Sequence, residues 1–291
     1  MDYLLHILIV ALINIILVVS FNILLGFTGI FALCHAAFYG VGAYTVALLM
    51  KSAGVPFFPA MICAVGITVC CSLLIAIPGL RVHWDYMVIF AFSFQMIIYH
   101  VMMNWMELTR GPQGIPAIPP ASLFGLEFES KPAFLLLCLV LTSAAVYLVH
   151  RIETSPFGLV LKGIKDDEVA VQSIGKNVTL HKIVAFAVAA GLAAVAGSLI
   201  AVYISYISPG YFDLHMSVFV VIALIFGGVG RISGAVLGTL VLTALPELLR
   251  FIPYLPSTIL GGTRDLIYAT ILVFFMLYRP QGLIGKARQK S

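Results

Sequence analysis

Charge is what this chain has least of. Only 10% of its 291 residues are Asp, Glu, Lys or Arg, where a soluble domain carries about 25%. With 62% hydrophobic residues, the deficit excludes water as the main solvent and implies a polytopic membrane protein. Cysteine is sparse and odd in number. The five (Cys34, Cys63, Cys70, Cys71 and Cys138) all lie in apolar runs without metal-ligand spacing. They read as small buried hydrophobes, not as a disulfide framework or a metal site. A formal charge of +4 without a basic tract excludes a nucleic-acid binder. The amino terminus has neither a basic n-region nor a small-residue cleavage site, so it is expected to be a retained span.

Catalytic signatures are missing as well. There is no HExxH, no serine-nucleophile motif and no pair of intramembrane carboxylates, which argues against a membrane-embedded enzyme. GFTGIF (26–31) lacks the lysine and hydroxyl residue that complete a P-loop, so the chain is expected to bind no nucleotide by that route. Acidic residues midway through apolar runs are scarce, and this weakens an ion-coupled secondary transporter.

What is present is a series of long apolar runs. A membrane-spanning helix needs about 20 such residues, and nine segments approach that length: 3–25, 28–50, 56–78, 86–106, 133–150, 183–205, 215–230, 233–252 and 264–279. The fold expected is an all-α polytopic bundle forming one transmembrane domain over 1–291. The second and seventh segments are glycine-rich and compatible with broken or re-entrant helices. Basic residues set the orientation. Alternation places Arg81, Arg151, Lys162, Lys165, Lys176, Lys182, Arg231, Arg279, Lys286, Arg288 and Lys290 on one side, against Lys51, Arg110, Lys131, Arg250 and Arg264 on the other. The richer side is expected to be cytoplasmic. It holds the 151–182 loop and the carboxyl terminus, which puts the amino terminus and the 107–132 loop outside.

The loop SPFGLVLKGIKDDEVAVQSIGKNVTLHK (155–182) is the one long polar interruption. Ser155-Pro156 is a helix start signal, and Phe157, Val160, Leu161 and Ile164 recur at helical spacing. Asp166, Asp167 and Glu168 place negative charge at a second helix start. Gly175 stands where a left-handed cap would end that helix, and Thr179 is expected to cap the next. Two short helices with an apolar stripe favour a docking surface over a plain connector. The opposite loop, 107–132, carries five prolines and three glycines, which deny it a long helix.

Two stretches inside the apolar runs stand out: GFTGIFALCHAAFYGVG (26–42) and GGVGRISGAVLG (227–238). Gly26, Gly29, Gly40, Gly42, Gly227, Gly228 and Gly230 serve either close helix packing or broken helices whose freed backbone lines a polar path. Their positions in opposite halves hint at an internal duplication. His35 is the ionisable residue deepest in the first stretch, and both a functional and a purely structural role fit it. Gln95, His100, Asn104 and Glu107 form a polar stripe expected to line a route toward the outer loop.

These residues resemble a known pattern. FNILLGFTGIFALCHAAFYGVGAYTVALL (21–49), LTRGPQGIPAIPP (108–120), the loop and following run (155–201), ISPGYFDLHMSV (207–218), GGVGRISGAVLG, LPELLR (245–250) and YRPQGLIG (278–285) are similar to the LivM-type permease subunit of bacterial ABC importers for branched-chain amino acids. The resemblance implies a non-catalytic inner-membrane subunit working with four kinds of partner: a LivH-like permease, two cytoplasmic ATPase subunits that bind ATP and Mg, a periplasmic solute-binding protein, and membrane lipid. It further implies that EVAVQSIG (168–175) is the coupling helix, with Asp166, Asp167, Glu168, Ala170 and Gly175 facing or shaping the ATPase contact. Val171 and Cys34 stand where the family commonly has alanine and glycine. Urea and short-amide importers use related permeases, so the solute class stays between these two.

Overall fold

The computed structural model describes residues 2–79, 84–123, 126–128, 130–249 and 270. α1 (Asp2–Phe21) runs into a π-helical turn (Asn22–Thr28), followed by α2 (His35–Ser52), α3 (Phe57–Gly79) and α4 (Trp84–Asn104). A short α5 (Met106–Thr109) and a 3-10 turn (Gly111–Gln113) open a connector holding β1 (Ile115–Pro116), β2 (Ser122–Leu123) and β3 (Leu126–Glu127). Next come α6 (Lys131–Thr154), α7 (Pro156–Asp166), α8 (Glu168–Ser173) and α9 (Val178–Ile204). β4 (Tyr206–Ile207), a 3-10 turn (Pro209–Phe212), α10 (Leu214–Gly227) and α11 (Ile232–Leu249) complete the described fold.

Six helical stretches among the described residues are long and apolar enough to cross a membrane; α2 is not one of them, and Ile232–Leu245 within α11 is a shorter apolar helix. The protein is a helical multi-pass membrane protein. The expected segment at 264–279 lies, apart from residue 270, outside the described residues. So do most of LPELLR and all of YRPQGLIG as far as side chains are concerned. The second expected segment begins later than its hydropathy suggests. Helix α2 starts only at His35, because Gly29 adopts a left-handed φ of 73° and residues 29–34 leave the helix.

Lipid gives helices no hydrophobic reason to associate, so close packing has to hold them. α9 shows how. Ala185, Ala189, Ala190, Ala193, Ala194 and Gly197 are buried along it, and it packs against α2 and α3. α1 packs against α6, α9 and α11, and α10 against α11. The apolar windows of α1 and α9 are 78% and 72% buried, against 22% for α4, so α1 and α9 form the centre and α4 the perimeter. Perimeter position also corrects one expectation. Cys34 and Cys138 are buried, but Cys63 and Cys70 are exposed. α3 turns the stripe Ala60, Ala64, Thr68, Ser72 and Ile75 inward, with Phe57, Ala76 and Gly79 buried at its ends, and those two cysteines sit off it.

Side-chain contacts fix which ends lie together. His6 Nδ1 meets the Tyr203 hydroxyl at 2.7 Å, and the Lys51 ammonium donates to the Pro116 carbonyl. The start of α1 and the ends of α2 and α9 therefore share a side with the 107–132 connector. That connector is short elements as expected, and it is stapled to the segment after α9. β1 and β4 pair antiparallel, Ile115 opposite Ile207 and Pro116 opposite Tyr206. The π-turn lies at the other side, against α7.

The 155–182 loop folds largely as its start and stop signals dictate. The Ser155 hydroxyl accepts from Gly158 N at 3.1 Å. The Asp167 carboxylate accepts from Val169 N and Ala170 N at 2.9 and 3.0 Å. Gly175 takes a φ of 77° just past α8. The cap of α9 differs from expectation: Asn177, not Thr179, accepts from Leu180 N at 3.0 Å. Helix α9 begins at Val178, which leaves Thr179 already inside its first turn.

Candidate functional site

Two buried polar junctions organise the glycine-rich stretches. The first is the amino-terminal end of α2. Helix starts leave unpaired N–H groups, and none of the usual capping residues precedes His35, since the cap position is Cys34 with no side-chain bond. Other helices supply the acceptors. Ser217 Oγ of α10 accepts from Ala36 N at 3.0 Å, and Gln95 Oε1 of α4 accepts from Ala37 N at 2.7 Å. Gln95 Nε2 then donates to the Phe212 carbonyl at 2.9 Å. Gln95 is fully buried, so both ends of its amide are spent on backbone.

His35 sits beside this cap and is 1% exposed. Its Nε2 lies 2.7 Å from Ser20 Oγ, and the Ser20 hydroxyl is within 2.7 Å of the Leu17 carbonyl. A hydroxyl has one proton. With that proton directed at Leu17, the histidine donates from Nε2. Phe21 and Phe38 flank the ring at 5.3 and 6.2 Å. His35 thus bridges α1 and α2 through Nε2, while its Nδ1 is buried without a hydrogen-bond partner among the described residues.

The polar stripe divides between two surroundings. Gln95 faces inward, while His100, Asn104 and Glu107 are exposed, and Asn104 donates back to its own helix at the His100 carbonyl, 2.8 Å away. Position 95 is five residues before 100, more than a turn and off its face. A consequence can be measured. Gln95→Met is expected to remove the shorter of the two bonds made by Ala37 N, which keeps the Cys34 carbonyl at 3.1 Å, and to take the Gln95 donor from the buried Phe212 carbonyl, a loss of about 1–3 kcal/mol. The thermal midpoint of the purified protein should fall by several degrees, and an unchanged midpoint would mean that this cap is dispensable.

The second junction brings the two glycine stretches together. The break at Gly29 leaves the carbonyl of Gly26 among the orphan acceptors of a helix end. Lys165 Nζ of α7 donates to it at 2.9 Å. One helical turn earlier, Asn22 Oδ1 accepts from Gly230 N at 2.9 Å. A Cβ on Gly26 would lie 2.0 Å from Asn22 Oδ1 and 3.0 Å from Gly230 Cα, so the absence of a side chain is what lets these segments meet. Elsewhere the glycines pack helices. Gly40 faces Met102 and Phe212, Gly42 faces Ala194 of α9, and Gly227 faces Gly234 and Gly238 of α11. Gly228 caps α10.

The coupling candidates occupy α7 and α8. Asp166, Asp167, Ala170 and Gly175 are exposed. Glu168 is instead held internally, its Oε2 2.6 Å from Lys182 Nζ, whose side chain is only 8% exposed. Lys162 bonds Glu153 at 3.2 Å and lies 5.5 Å from the Phe27 ring. Burial holds the Lys165 ammonium below the usual lysine range, and Asp166 partly offsets this. Three of the loop's lysines thus serve the fold. Left on the surface are Leu159, Val169, Ile174 and Leu180, between 55% and 72% exposed. The contacts of Lys165 and Lys182 were not legible in the sequence, and Asn22 was passed over although a polar residue in an apolar run is itself a signal.

Comparison with known proteins follows the same lines. The family model for the permease component of branched-chain amino acid transport systems matches residues 3–278. The chain is 31% identical over 300 residues to the high-affinity branched-chain amino acid transport system permease protein LivM of Salmonella typhimurium, covering 95% of this chain and 69% of that protein. Identity to the Escherichia coli LivM is 30% with the same coverage. The Salmonella typhimurium LivH protein is 26% identical over 195 residues, 64% of this chain and 60% of the relative. No solved structure matches.

Proposed function

We propose that this chain, which belongs to the branched-chain amino acid transport system permease family, is one transmembrane half of an ATP-driven importer for branched-chain amino acids. The partners in this reading are a LivH-like permease, two cytoplasmic ATPase subunits that bind ATP and Mg, and a periplasmic solute-binding protein. The chain itself moves solute and hydrolyses nothing. It resides in the bacterial inner membrane with nine crossings, the 155–182 loop inside and the 107–132 connector outside.

One observation carries the docking part of this reading. Leu159 of α7, Val169 of α8, Ile174 just after it and Leu180 in the first turn of α9 are exposed along the basic loop, and exposed apolar side chains on a cytoplasmic loop favour a partner surface. Support for the orientation comes from α1, which starts beside the 107–132 connector and ends beside α7. The importer reading is tested by reconstitution with the ATPases and the binding protein. Labelled leucine should accumulate only with hydrolysable ATP, and excess urea should not compete. Competition by urea would move the solute to the short-amide class, and uptake without ATP would overturn the importer. Topology is tested with single cysteines: Lys176→Cys should react only from the cytoplasm and Gln113→Cys only from outside.

A further inference from the structure

We infer that Lys165 is a positioning residue for transport, carrying movement of the α7–α8 loop through Asn22 to both glycine junctions at once. The inference rests on the reading that this loop receives an ATPase. α7 does not merely touch the end of α1. Lys165 Nζ bonds the Gly26 carbonyl at 2.9 Å, and Lys162 Nζ stands 5.5 Å from the ring of the next residue, Phe27. The first of these is a bond to backbone, so displacement of α7 displaces the π-turn itself. π-turns of this kind recur at functional sites.

From the π-turn the connection continues sideways. Asn22 belongs to the same turn and is completely buried, and its Oδ1 holds Gly230 N at 2.9 Å. Gly26 lies against the Asn22 side chain and the Gly230 backbone with no room for a methyl group between them. The junctions after α1 and α10 are therefore one mechanical unit. Each contains a glycine in left-handed conformation, Gly29 with φ 73° and Gly230 with φ 85°. Glycine leaves and re-enters that region at little steric cost, which is the property a hinge needs.

Two further observations favour a moving part over a fixed strut. α8 packs back on α7 with Val171 against Gly163, so α7 and α8 move together, while Lys162–Glu153 at 3.2 Å and Lys182–Glu168 at 2.6 Å tie them to α6 and α9. Asn22 Nδ2, in contrast, is buried without a hydrogen-bond partner among the described residues. A buried amide using half its capacity is costly, and a second arrangement of the junction would use the other half.

The test is Lys165→Met in the complete reconstituted transporter, with Lys165→Arg as the variant that keeps a donor. Solute moved per ATP should fall about fivefold or more in the methionine variant, with ATPase binding and membrane abundance unchanged, and Lys165→Arg should recover most of it. A spin-label pair reporting on Val229 should lose its nucleotide-dependent distance change in Lys165→Met, while a label at Val169 keeps its own. Parental coupling in Lys165→Met, or abundance falling in step with uptake, overturns the inference. Failure of the parent chain to bind the ATPases at all would instead overturn the docking reading on which it rests.

Discussion

Gly197→Ala, a single added methyl group, is expected to empty the membrane of folded protein, whereas the same change at Gly191 on the same helix is expected to be harmless. A Cβ at position 197 would lie 2.1 Å from the Tyr39 carbonyl oxygen and 2.9 Å from Ala43 N. Both are backbone atoms of α2, so no rotamer change relieves the clash and the two helices have to separate. The interface has no slack elsewhere, because Gly42 meets Ala194 Cα at 2.5 Å on the same measure. Overpacking a well-filled interior costs about 1–3 kcal/mol and sometimes more. In lipid the loss is compounded, since close packing is itself what holds the pair. Position 191 differs in what it faces. A Cβ there meets Val65 Cγ1 at 3.4 Å and Val69 Cγ2 at 3.6 Å, ordinary contacts, and alanine favours the helix by about 1 kcal/mol. Membrane abundance and thermal midpoint of the two variants decide the matter. Equal behaviour would show that the α2–α9 contact is looser than described.

The same contrast shows what sequence reading reaches in this fold. Glycine-rich stretches are visible as such, but whether a given glycine faces backbone, as Gly197 does, or side chains, as Gly191 does, depends on a helix elsewhere in the chain. Helix existence was legible because length and hydropathy are local. The start of α2 was not, since it hinges on the φ of Gly29 and on caps delivered by Gln95 and Ser217 across 58 and 181 residues. No periodicity within α4 marks Gln95 as an inward amide while His100 and Asn104 face out. The loop was the best-read part, because Ser155, Asp167 and Gly175 act on their immediate neighbours. Even there the contacts of the lysines were not legible: the loop lysines entered only as a count of charge, and Glu168 with Lys182 forms a bond between α8 and α9.

That bond decides which substitution tests the docking surface cleanly, and Ala170→Trp is the one expected to separate folding from function. Glu168→Lys would set a second ammonium beside Lys182, whose side chain is 8% exposed, and so would disturb the α8–α9 connection before any partner is involved. Ala170 has no such duty. It is exposed on α8, and its amide, not its side chain, is what Asp167 holds at 3.0 Å. A tryptophan there meets nothing in this chain that must move, and its cost to the helix is a few tenths of a kcal/mol. It does meet whatever covers the neighbouring Val169 and Ile174, exposed at 71% and 72%. A tightly packed interface tolerates added bulk poorly, since truncation or overfilling at its centre is worth 2 kcal/mol or more. ATPase binding is therefore expected to weaken about thirtyfold, which is 2 kcal/mol at 1.4 kcal/mol per decade. Leucine uptake should fall with it, while abundance and thermal midpoint stay parental. The measurement pairs affinity for the purified ATPase with uptake in the same vesicles. Parental values for both would leave α8 facing solvent in the working transporter, and the loop would then be a connector.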